Sequence, residues 1–65
     1  MCESAVYLIR GPTKDLVMAE VARITVAGNT ITCFDVLGER RTLEGVRIAE
    51  ANLIKHEIIL EPAKG

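Results

Sequence analysis

Few side chains in this sequence could carry chemistry: two thiols, Cys2 and Cys33, one imidazole, His56, and the adjacent guanidiniums Arg40 and Arg41. Cys33 stands in Thr32-Cys33-Phe34, inside a β-rich run, where a thiol ordinarily acts as a small buried hydrophobe. His56 lies between Lys55 and Glu57 at a turn and reads as a solvated turn residue, with metal ligation or proton carriage as its alternatives. Arg40 and Arg41, beside Glu39 and Glu44, read as a solvated strand end rather than an anion site. Nucleophilic catalysis needs a nucleophile, a base and an orienting group, and no such constellation or nucleophile elbow is present. The five glycines are dispersed singly, without a phosphate-binding pattern. Gly11, Gly28, Gly38 and Gly45 read as turn residues.

Cys2 has a different chemistry because of its position. A small second residue permits removal of Met1, and the free amine and thiolate of Cys2 would then chelate one metal in a five-membered ring. With Met1 retained, the deprotonated amide nitrogen of Cys2 would serve instead. Two such nitrogen/sulfur pairs, one from each of two chains, make a planar site suited to Ni(II) or Cu(II) rather than Zn(II). Two-fold symmetry would supply the ligands that a chain without Cys-x-x-Cys or a His cluster lacks. By position alone, the reading of Cys2 as an incidental thiol on a frayed terminus is the favoured one.

The elements that must position these groups read as short strands. Residues 4–9 form a first apolar run, closed by the Gly-Pro and Asp signals of residues 10–15. A second run covers residues 16–27, and its parity reverses around Glu20 and Val21, which predicts a bulge or bend. Gly28-Asn29 is a hairpin signal leading into residues 30–37. Gly38-Glu39 then turns the chain into residues 40–43, and Glu44-Gly45 turns it into residues 46–54. That segment has mixed parity; its Val, Ile and flanking Gly favour a strand over a helix. Residues 57–60 form the last run, and the tail at 62–65 is expected to fray. The whole chain, 1–65, is thus expected to be a single all-β domain of five to six short strands: a small, strongly bent antiparallel barrel or meander of the SH3-like kind.

Composition narrows the function classes. With 65 residues there is no room for a two-lobed enzyme or a nucleotide-binding sheet. Eight basic against nine acidic residues give a net charge of -1, without the positive excess that nucleic-acid binding uses. Apolar residues make up 49% of the chain and exclude disorder, while aromatics at 3% leave the core to Val, Ile, Leu and Ala. No apolar run approaches a membrane span and no signal peptide is evident, so the expected location is cytoplasmic, with reduced thiols. The mean hydropathy of +0.26 is high for so small a chain, and a second copy is expected to cover part of the apolar surface.

The start Met1-Cys2-Glu3-Ser4-Ala5-Val6-Tyr7-Leu8, the central Asp35-Val36-Leu37-Gly38-Glu39 and the ending His56-Glu57-Ile58-Ile59-Leu60 together resemble the CooT family. These are short nickel-binding proteins linked to maturation of nickel-dependent carbon monoxide dehydrogenase. The resemblance implies a β-barrel homodimer binding one Ni(II) between its chains through Cys2, with the dehydrogenase or another nickel enzyme as recipient. Glu3 would set the local potential, and both Glu3 and His56 are candidates to assist the metal. The implied role is a metallochaperone or nickel store, not an enzyme. The competing reading is a small β-barrel module binding RNA or a protein strand. For base stacking, that reading has only Tyr7 and Phe34.

Overall fold

The computed structural model describes residues 3–63 as six strands in one curled sheet, with no helix among them. They are β1 (Ser4–Arg10), β2 (Thr13–Ala27), β3 (Thr30–Asp35), β4 (Arg40–Glu44), β5 (Val46–Asn52) and β6 (Glu57–Pro62). The order across the sheet is β4-β3-β2-β1-β6-β5. The all-β expectation therefore holds, but a closed antiparallel barrel does not form. β1 and β6 pair in parallel, from Ala5 opposite Glu57 to Leu8 opposite Leu60, and β4 and β5 remain as edges.

Both departures have local causes. A parallel pair needs a long crossover, and β2 to β5 supply it, so β6 returns beside β1 instead of extending the meander. β1 thereby becomes an interior strand: Val6 and Leu8 are buried on its inner face, while Ala5, Tyr7 and Ile9 are half-buried on the other. The edges resist pairing because β4 is short and carries Arg40, Arg41 and Glu44, and the register of β5 against β6 slips between Ile48 and Glu50. The same slip accounts for the mixed parity of this segment, which is a strand and not a helix. At the mouth of the curl the Val46 amide donates to the Asn29 carbonyl at 3.1 Å, drawing the start of β5 to the β2–β3 turn.

The predicted bend lies in β2. Its register slips against β1 between Ser4 and Val6 and between Val6 and Tyr7, and against β3 between Val21 and Arg23. The first half of the strand pairs with β1 and the second with β3, so the sheet curls around Val17 and Val21, the buried residues of β2. Around them pack Val6, Leu8, Ile31, Cys33, Val46 and Leu60, and the core contains no aromatic ring. β2 also begins earlier than the sequence suggests. Gly11-Pro12 alone turns the chain, and the Thr13 hydroxyl donates to the Arg10 carbonyl at 2.8 Å. The predicted frayed tail is partly corrected, since Pro62 belongs to β6 and the Ala63 amide donates to the Gly45 carbonyl at 2.8 Å. Residues 64–65 lie outside the described residues.

Candidate metal centre

Cys2 lies outside the described residues, and the site it would form is approached from Glu3 onward. Glu3 is exposed and precedes β1. Ser4 opens β1 between two neighbours, paired with Val21 of β2 on one side and flanked on the other by the turn into β6. Val21 is in turn paired with Asp35 at the end of β3. One end of the sheet thus gathers the start of β1, the bend of β2, the β3–β4 turn and the β5–β6 turn.

The two turns are built alike. In the first, Asp35 Oδ1 accepts the Leu37 and Glu39 amides at 2.9 Å each, and the Gly38 amide donates to the Asp35 carbonyl at 3.1 Å. This Asx cap ends β3 at Asp35, two residues before the sequence suggests, and turns Val36 and Leu37 outward, 62% and 84% exposed. In the second, Asn52 Oδ1 accepts the Lys55 amide at 3.0 Å and ends β5 at Asn52, also two residues before the sequence suggests. Leu53 and Ile54 then stand 75% and 90% exposed. Sequence reasoning missed this arrangement, whose signal is an Asx residue followed directly by two large apolar residues.

His56 closes the second turn. It is half-buried rather than fully solvated, and its backbone is left-handed, with φ at 58°. Its carbonyl accepts the Ala5 amide at 2.9 Å, so the turn is tied to the start of β1. The predicted turn glycines likewise all have positive φ, from 56° at Gly11 to 90° at Gly38.

Cys33 is fully buried and free, as its strand context predicts. Burial pushes its thiol above the ordinary value, and the Arg41 guanidinium offsets part of that rise. Arg40 and Arg41 are exposed at the start of β4, and Arg41 Nη1 donates to the Val17 carbonyl at 3.2 Å. Among the described residues no group of three or more His, Cys, Asp and Glu side chains could hold a metal ion. Both aromatic rings carry a cation of the chain on one face. Lys14 Nζ lies 4.5 Å from the Tyr7 centroid and the Arg23 guanidinium carbon 4.0 Å from that of Phe34.

The family described as CO dehydrogenase accessory protein CooT matches residues 1–61, a span that includes Cys2 and both Asx-capped turns. A protein of Archaeoglobus fulgidus, described only as uncharacterized, is 43% identical over 44 residues, covering 68% of this chain and 96% of that relative. A crystal structure assigned to CooT from Carboxydothermus hydrogenoformans superposes with a TM-score of 0.83 at 21% identity, covering 97% of this chain and all of that one, and so shares its fold. With the family matching nearly the whole length, this chain belongs to the CooT family of CO dehydrogenase accessory proteins.

Proposed function

We propose that this protein is a cytoplasmic nickel carrier serving maturation of a CO dehydrogenase, working as a homodimer that holds one Ni(II) between two chains. The observation that supports the reading is the family match over residues 1–61, a span in which the sequence carries a thiol at Cys2, ahead of a strand in the middle of the sheet. The donor chemistry fits the cargo. A thiolate and an adjacent backbone or terminal nitrogen from each chain complete a planar set that favours Ni(II), and the described residues offer no rival cluster.

The homodimer is supported by the apolar end. Val36, Leu37, Leu53 and Ile54 project from turns on either side of the start of β1, and a face of this kind on a small chain is ordinarily covered by a partner. A second copy related by two-fold symmetry would cover it and bring both Cys2 residues together. Edge-to-edge pairing is the less favourable route, given the charges on β4 and the slip in β5. Saturated planar ligation leaves no open position for a substrate, so the role is binding and transfer rather than catalysis. The alternative as an RNA-binding module is disfavoured because Tyr7 and Phe34 already stack against Lys14 and Arg23.

The test is nickel titration of the full chain, read by thiolate-to-nickel absorption and by sizing, with Cys2→Ser alongside. One Ni(II) per dimer, with absorption lost in the variant and released on acidification, is the expected result. Undiminished binding by Cys2→Ser would remove Cys2 from the site.

A further inference from the structure

His56 is the one non-glycine residue with positive φ among the described residues, at 58°. The left-handed region is disfavoured for residues with a Cβ, Asn, Asp and His tolerating it best, and such a conformation persists where its surroundings impose it. Two contacts do so here. Asn52 Oδ1 holds the Lys55 amide at 3.0 Å, fixing the turn before His56, and the Ala5 amide donates to the His56 carbonyl at 2.9 Å. The second is a rung joining β1 to the entry of β6, immediately before the parallel register of Ala5 with Glu57. On the other flank, Ser4 pairs with Val21. Ser4 and Ala5, which open β1, are therefore held between two clamps, one of which depends on the left-handed backbone at position 56.

Resting on the nickel reading above, we infer that His56 is a positioning residue for the metal site, acting through its backbone: its left-handed conformation sets where β1 begins and hence where Cys2 is delivered, and its imidazole is not a ligand. Two thiolates from two chains must converge on one ion, so a shift in the start of β1 is felt twice. A β-branched side chain at position 56 opposes the left-handed region most strongly, turning the carbonyl away from Ala5, whereas Asn and Gly accept that region without an imidazole.

The experiment compares wild type, His56→Val, His56→Asn and His56→Gly as full chains. It uses nickel titration with circular dichroism of the thiolate-to-nickel bands, and amide hydrogen exchange at Ala5 without metal. His56→Val is expected to weaken nickel binding by about tenfold or more, to change the band shape and to speed exchange at Ala5. His56→Asn and His56→Gly are expected to rescue all three readouts. Loss of nickel in the Asn and Gly variants with Ala5 still protected would make the imidazole a ligand and overturn the inference, and this arm decides the matter even where the Val variant fails to fold. Unchanged Ala5 exchange and nickel affinity in a folded Val variant would overturn it equally. Failure of wild type to bind nickel would instead break the nickel reading, while the Ala5 exchange still reports on the clamp.

Discussion

The two ends of the curled sheet are made from the same short turns but present opposite surfaces. At the end remote from the start of β1, the turns carry Gly11-Pro12, Gly28-Asn29 and Gly45, and the groove of about 440 Å³ beside them is lined in part by Arg10, Asp15, Arg41 and Glu44. At the near end, the turns carry Val36-Leu37 and Leu53-Ile54, pushed outward by the caps of Asp35 and Asn52. Turn chemistry in both places is satisfied by polar atoms and positive φ, so it does not demand exposed Leu and Ile. Val36, Leu37, Leu53 and Ile54 put the most exposed apolar side chains of the described residues at the near end, the surface on which the proposed second copy would dock.

The sharpest break of this contrast is Cys2→Ser, expected to abolish nickel absorption while leaving the melting temperature unchanged, because residue 2 precedes every strand. Next in size, the double substitution Leu37→Asp and Ile54→Asp is expected to convert the proposed dimer to a folded monomer in sizing experiments. A persistent dimer would remove the near end from the interface. At the remote end, Gly28→Val is expected to cost about 1–2 kcal/mol in denaturant unfolding, since φ is +60° there, and to leave nickel binding untouched. Nothing lies within 4 Å of the added Cβ, so the cost is conformational rather than steric.

The smallest effect concerns the core between the two ends. Burial raises the Cys33 thiol in the folded state above its ordinary value, so as pH rises through the ordinary thiol range the unfolded chain loses its proton first. Fewer protons are then bound in the unfolded than in the folded state, and stability, intact below the ordinary thiol range, falls as pH rises through the folded value. Cys33→Ala is expected to remove this alkaline loss from the unfolding profile. It should cost about 1 kcal/mol at neutral pH for the vacated volume and leave nickel affinity unchanged.

Much of this was legible before any coordinates. Runs bounded by Gly, Pro and Asn located the strands, and the parity reversal at Glu20-Val21 located the bend, because side-chain alternation registers a bulge directly. Cys33 was readable as core from its strand context. The strand ends at Asp35 and Asn52 were not, because Val-Leu and Leu-Ile after them continue an apolar run, and only the side-chain caps show where pairing stops. His56 was readable as a turn residue, but its left-handed backbone and its bond to Ala5 join residues at opposite ends of the chain and leave no local trace.

The sequence by itself determined the all-β class, the turns, the aromatic-free core and the family, since alternation, turn residues and short motifs are local properties of the chain. Tertiary structure alone decided that β6 returns parallel to β1, that the sheet stays open, and that two apolar turns and His56 gather around the start of β1. Strand order depends on which distant apolar faces bury one another, and that choice is written in no single segment.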